Sequence, residues 1–396
     1  MRNADPPVSA PVLLLATACG VLVANIYYAQ PLIALIGPDI ALSPRGMSLI
    51  VSLTQAGYAL GLVALVPLAD LFETRRLVLT TVMVSLPALL LAAAARSGLA
   101  MLIASVLIGL TSVSVQMLVP VAARLTPPNK RGQVVGTVMS GLLLGILLSR
   151  PAAALIAGWF GWRAVFLVSC VVTAAMAAGL RLALPLCPPE SRLSYGALLA
   201  SMLTLPLRLP MLRVRMLIQA VSFFGISVFW TQAPVYLHTN FGFSSFGISG
   251  FALAGAAGAL VAPLAGRLAD FGYSRQATWA GLVLVAGGFV LGWLGGERHS
   301  LALLVAAAIA VDGGVQFNLP VGQRAIYTEA PELRARLTGL FIASFFAAGA
   351  AGTALSGPVL ALWGWNGLCL SCAALPLLVL GFILVRGAYA PGMAPA

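Results

Sequence analysis

Two charged residues, Arg150 and Asp312, lie deep within long apolar runs of the sequence. A charge at the centre of a bilayer costs about 2.5–3.5 kcal/mol on insertion scales, so such residues mark substrate or ion pathways by default. Arginine keeps its proton when buried and presents a planar fork suited to carboxylate or phosphate. Asp312 is the one acid expected at depth, and hence the one candidate for a buried carboxylate that exchanges protons. Arg150 can be satisfied by Asp312, by an anionic substrate, or by water in a vestibule. The bland alternative is a structural ion pair, or an Arg150 that snorkels outward.

Spacing groups other polar residues around these two. Asp312 and Gln316 are four apart and share a helix face, as do Ser112 and Gln116. At about 100° per residue, Arg150 projects away from Gly141 and Gly145, a small-residue pair suited to close helix contact. Asn25, Tyr27, Tyr28 and Gln30 form one polar group within an apolar run, and Thr54, Gln55 and Tyr58 form a second. Trp230, Thr231 and Gln232 repeat the first group further along the chain. Gln30 and Gln232 are expected to line a cavity, whereas Trp230 fits a cavity or an interfacial aromatic belt. Pro31 and Pro234 are expected to break their helices.

Other chemistries lack their residues. The pattern G-x-x-x-x-G-K-[ST] is absent, so ATP is excluded as the energy source and an ion gradient is expected, with no cofactor. The two histidines, His238 and His299, are expected in loops and far from any nucleophile. Of five cysteines, all but Cys187 sit in apolar runs, where cysteine acts as a small apolar residue; no metal site is expected, Cys369 and Cys372 included.

The elements that must hold these residues follow from composition. Of 396 residues 61% are apolar and 8% charged, with a mean hydropathy of +1.03. A soluble domain carries roughly 25% charged residues. Apolar runs fall near 10–36, 46–69, 76–95, 98–123, 133–157 and 163–185, then near 213–237, 244–269, 276–295, 300–323, 338–360 and 366–387. Each approaches the ~20 residues of a spanning helix, and none alternates as a barrel strand would. The first run is too long for a cleaved signal and no A-x-A site follows it. The expected fold is an all-α polytopic membrane protein with twelve transmembrane helices in two pseudo-symmetric six-helix bundles, residues 1–185 and 213–396. A linker, 186–212, joins them and carries a surface helix near Ser191–Leu205. With both termini cytoplasmic, 17 of the 22 Lys and Arg residues face the cytoplasm and four face outward, leaving Arg150. The net charge of +12 thus marks a membrane face, and nucleic acid is not needed to explain it.

The two bundles repeat each other. Tyr27-Tyr28-Ala29-Gln30 parallels Phe229-Trp230-Thr231-Gln232, and Leu68-Ala69-Asp70 parallels Leu268-Ala269-Asp270. Val115-Gln116 and Pro120 parallel Val315-Gln316 and Pro320; Pro128, Arg131 and Gly136 parallel Pro331, Arg334 and Gly339; Gly161-Trp162 parallels Gly364-Trp365. Offsets stay between 200 and 203, so the chain reads as a duplicated six-helix unit with both copies in one orientation.

On these residues the chain resembles the major facilitator superfamily. The family's loop motif G-x-L-A-D-x-x-G-x-[RK]-[RK] is matched by Leu68, Ala69, Asp70, Arg75 and Arg76, with Val66 and Glu73 in place of its glycines; the second copy keeps Gly266, Asp270 and a basic Arg275. The string Asn25–Leu32 resembles bacterial drug- or sugar-efflux-like members. Two departures separate it from the proton–drug antiporters: Ser105 stands at the arginine of the fourth-span motif, and Ile146 at the proline of the antiporter motif. The resemblance implies a secondary transporter in a bacterial inner membrane, most simply a monomeric, proton-linked exporter of a small organic molecule. Uptake of an anionic metabolite through Arg150 is the rival, and a non-transporting membrane sensor a remote third. It also implies that Asp70 faces the start of span eleven near Thr338, and the repeat that Asp270 faces span five near Gly132.

Overall fold

The computed structural model describes residues 10–127, 130–186, 188, 194–261, 264–265, 267–268, 271–329 and 333–385. Asp270 and Cys187 fall outside them. Among the described residues every regular element is helical. Nine helices among the described residues are long and apolar enough to cross a membrane, with shorter apolar helices at Pro11–Ala24 and Ser245–Ala256. The helix Arg334–Val385 breaks at Gly364 into spans eleven and twelve, which is consistent with twelve spans in all.

Span one departs from a continuous helix. It runs Ala10–Ala24, turns, and resumes as a 3-10 turn Gln30–Leu32 and a short helix Ile33–Asp39. Pro31 has no N–H for the Tyr27 carbonyl four residues back, and the Gln30 N–H takes that carbonyl at 3.2 Å instead. The break therefore precedes the proline. Pro234 behaves differently from expectation, because span seven continues unbroken through it from Pro210 to Phe241. His238 likewise lies in the last turn of that helix, not in a loop.

Local chemistry fixes the starts of several helices. The side chains of Ser43, Glu73, Ser97, Ser194 and Ser244 each accept from a backbone N–H three residues on. Glu73, which replaces a motif glycine, is thus the cap of span three. Ser194 caps the linker helix, Tyr195–Arg208, which starts and ends three to four residues later than the sequence pattern indicates. Its Tyr195 hydroxyl donates to the Ala64 carbonyl at 2.8 Å, tying it to span two.

The repeated Gly-Trp pair has a structural meaning. Gly161 and Gly364 both have positive φ, +80° and +64°, and each turns the chain sharply between two spans. The following tryptophans are buried: Trp162 donates its indole N–H to Asp39, and Trp365 to the Gly292 carbonyl at 2.9 Å. Arg163 pairs with the same Asp39 and, with the Trp162 N–H, holds that exposed carboxyl below its ordinary range.

Small residues bring helices into backbone contact. A Cβ on Gly141 would lie 2.3 Å from the Ala16 carbonyl oxygen, and one on Gly145 2.2 Å from that of Gly20, so spans one and five touch along this seam. Gly57 and its repeat partner Gly258 make the same approach to spans four and ten.

The halves meet away from the linker helix. On that far side Ser52 Oγ donates to the Ala350 carbonyl at 2.7 Å, Gln55 Nε2 to Ser227 Oγ at 3.0 Å, and Ser249 Oγ to the Pro151 carbonyl at 2.8 Å. Tyr58 lies against Phe346 with ring centroids 4.5 Å apart. Toward the linker side, a Cβ on Gly132 or Gly136 in span five would meet nothing within 4 Å among the described residues.

Candidate functional site

Where the halves meet, the buried polar residues form one chain of contacts. Arg150 in span five (Arg131–Phe160) is 8% exposed and points away from the Gly141/Gly145 seam. Its Nε donates to Gln30 Oε1 at 2.7 Å. The guanidinium carbon lies 5.1 Å from the Tyr27 ring centroid and 4.7 Å from that of Trp230, so two aromatic faces flank the cation. Trp230 belongs to span seven in the other half. Its indole N–H donates to Asp312 Oδ2 at 2.8 Å. Arg150 and Asp312 are thus joined through an indole rather than by a direct ion pair.

The break in span one makes this possible. Residues 25–32 leave the regular helix, and Tyr27 and Gln30 turn toward span five while Asn25 accepts a hydrogen bond from Ser169 of span six. Gln30 is 1% exposed, Trp230 1% and Asp312 7%, so the whole chain is withdrawn from bulk water. Buried polar groups of this kind strengthen each other electrostatically when paired.

The second polar tier lies nearby. Asp312 and Ser112 are buried and Gln316 and Gln116 half-buried, as their equal positions in the repeat suggest. Gln116 Nε2 donates to the Tyr58 hydroxyl at 3.1 Å, while Ser112 returns to its own helix at Ile108. Gln55 spans the halves. Gln232 is turned to Ser356 of span eleven at 2.7 Å and so braces two helices of one half. Sequence reasoning missed Ser52, Ser227 and Ala350, although Ser52 and Gln55 are three apart on one face of span two. It also counted Arg215 among the 17 charges of the cytoplasmic face, whereas the structure buries it inside span seven at 1% exposure.

The loop-motif residues lie at the linker side. Asp70 ends a 3-10 turn, Val66–Asp70. Arg75 donates to the Arg181 carbonyl at 2.6 Å, and Arg76 pairs with Glu73 at 3.5 Å as an exposed ion pair of little energetic weight. Arg275 lies over the Trp279 ring at 4.6 Å. The Thr338 hydroxyl, expected near Asp70, donates to the Tyr327 hydroxyl at 2.9 Å.

A two-bundle fold with a buried, charged seam is the architecture of a carrier, and known proteins agree. The family model of the Major Facilitator Superfamily matches residues 13–311 and 215–395. An uncharacterized transporter of Escherichia coli O157:H7, YgaY, is 41% identical over 367 residues, spanning 92% of this chain and 93% of its own. A probable transporter of Streptomyces coelicolor, SCO4007, is 35% identical over 377 residues, spanning 94% and 85%. A chloramphenicol resistance protein of Streptomyces lividans is 30% identical over 200 residues, half of each chain. Among solved structures, the nucleoside transporter NupG superposes with a TM-score of 0.76 at 14% identity, over 94% of this chain and 99% of that one, a likeness of fold alone. The chain belongs to the major facilitator superfamily. It is a multi-pass membrane transporter.

Proposed function

We propose that the protein is a proton-coupled secondary transporter that exports a small organic molecule by alternating access, working as a monomer without a cofactor. The observation that carries this reading is the Arg150–Trp230–Asp312 chain, which links a cation of one half to an acid of the other. When the halves rock, such a link must stretch or break, and the carboxylate then changes its surroundings between the two faces of the membrane. That is what coupling to protons requires of a single buried acid. The excess of basic residues supports a linker side and both termini in the cytoplasm, in an inner membrane. In that orientation the far-side contacts close the outer face. Export is favoured by the partial likeness to the chloramphenicol resistance protein.

A second reading has its own observation. Among the described residues, Arg150 uses only Nε in a hydrogen bond, so its remaining N–H groups suit an anionic metabolite carried inward. Flux in proteoliposomes separates the two. With an imposed pH gradient and chloramphenicol as the first probe, export predicts accumulation that collapses with a protonophore. Uptake predicts instead that small carboxylates move down the proton gradient with it. Flux of any solute that ignores the gradient rejects proton coupling.

A further inference from the structure

A second buried cation sits in the half that carries Asp312, and the seam does not use it. Arg215 is five residues into span seven and 1% exposed. Its Nη1 donates to Thr278 Oγ1 of span nine at 2.7 Å. Among the described residues its Nε and Nη2 have no partner. These two N–H groups form one edge of the guanidinium, the edge that grips an anion side-on. One turn along, Gln219 is 1% exposed, and on span ten Asn318 is 2% exposed; among the described residues neither amide atom of either side chain has a partner.

These groups adjoin one another. A Cβ on Gly281, one turn from Thr278, would lie 2.5 Å from Asn318 Nδ2; a Cβ on Gly322, one turn from Asn318, would lie 3.9 Å from Arg215 Cδ. Spans seven, nine and ten thus enclose a cation with a free fork and two amides able to donate beside it. Leaving a buried charge uncompensated costs several kcal/mol, roughly, and each unpaired buried donor costs about 1–3 more. Among the described residues no carboxylate pairs with Arg215.

We infer that this cluster holds a small inorganic anion of halide size, gripped by the Nε–Nη2 edge of Arg215 and the amide donors of Gln219 and Asn318. With all three side chains at 1–2% exposure the cluster has no open face to solvent, which favours a small, fully dehydrated ion over a bulky one. The site is separate from Arg150 and does not depend on what the transporter carries.

The test uses the full-length protein purified in detergent with chloride replaced by gluconate at constant ionic strength. Returning chloride, or bromide, should raise the melting temperature saturably by about 2–4 °C. Gln219→Met and Asn318→Leu remove donors while nearly keeping volume, and should abolish that rise; Arg150→Gln should retain it. Bromide-soaked crystals should show an anomalous peak at the Arg215 fork. Equal melting in chloride and gluconate, a rise preserved in both amide variants, or a fork occupied by water alone would overturn the proposal. If Arg215→Met fails to fold, the amide variants still decide it.

Discussion

At the residue scale one indole links the two charges of the seam. Trp230 offers its face to Arg150 and its N–H to Asp312, so Trp230→Phe should keep the first contact and lose the second. A hydrogen bond to a charged group contributes about 1.5–3 kcal/mol, so melting should fall by a few degrees while gradient-driven transport falls by about tenfold or more. Asp312→Asn goes further: accumulation against a gradient should vanish while downhill exchange survives, and proton-driven accumulation in that variant would remove Asp312 from the coupling role. The exposed Asp39–Arg163 pair gives a pH signature of another kind. Its folded carboxyl titrates below the ordinary value of about 3.9, so the pair stabilises above that pH and the benefit fades as pH falls through the folded value. Asp39→Asn should therefore melt slightly earlier than wild type at pH 7, and the gap between the two curves should shrink as the pH is taken below the ordinary carboxylate value. Arg150 and Asp312 were legible in the sequence because a charge amid apolar residues is conspicuous. Arg215 was not, because it lies where an apolar run meets a basic flank, and helix rotation rather than sequence decides whether such a residue faces headgroups or the bundle.

At the scale of elements, glycine separates contacts that must stay close from surfaces that are open. Gly145→Ala would drive a methyl into the Gly20 carbonyl, and should cost about 1–3 kcal/mol as an overpacked contact. Gly136→Ala meets nothing, and should be neutral or gain up to about 1 kcal/mol of helix propensity. Thermal melting of the two variants in one detergent checks both, and equal loss in both would mean that the seam is not tight. The twelve runs were readable because a span needs a fixed length of apolar chain. Their breaks were less so. Both Pro31 and Pro234 remove a donor, yet only near Pro31 does the helix give way, where the carbonyl it strands finds the N–H of Gln30 three residues on. The Gly-Trp repeat shows the opposite case. A matched pair of residues at constant offset marks two turns whose positive φ suits glycine alone, and Gly161→Ala or Gly364→Ala should each cost about 1–3 kcal/mol.

For the whole molecule, the asymmetry between its two ends carries the mechanism. Ser52–Ala350, Gln55–Ser227 and Ser249–Pro151 tie the halves together on the far side, whereas toward the linker a Cβ on Gly132 or Gly136 of span five meets nothing within 4 Å among the described residues. In the alternating-access cycle proposed above these conditions exchange, so the far-side ties part and the linker side closes. Gln55→Cys/Ser227→Cys, bridged by a short bifunctional thiol reagent, should hold the far side shut. Transport should stop in the crosslinked protein and return on reduction, while Gln55→Ser/Ser227→Ala should keep transporting. The complementary variant is Gly136→Leu, which adds bulk where nothing is touched in the present state and should leave melting within about 1 kcal/mol of wild type. If span five packs against the other half when the linker side closes, that leucine blocks the approach, turnover falls, and a cysteine placed nearby stays reactive to membrane-impermeant reagent from the linker side. Unchanged turnover in Gly136→Leu together with free transport in the crosslinked pair would mean that neither end moves as the two-bundle architecture requires.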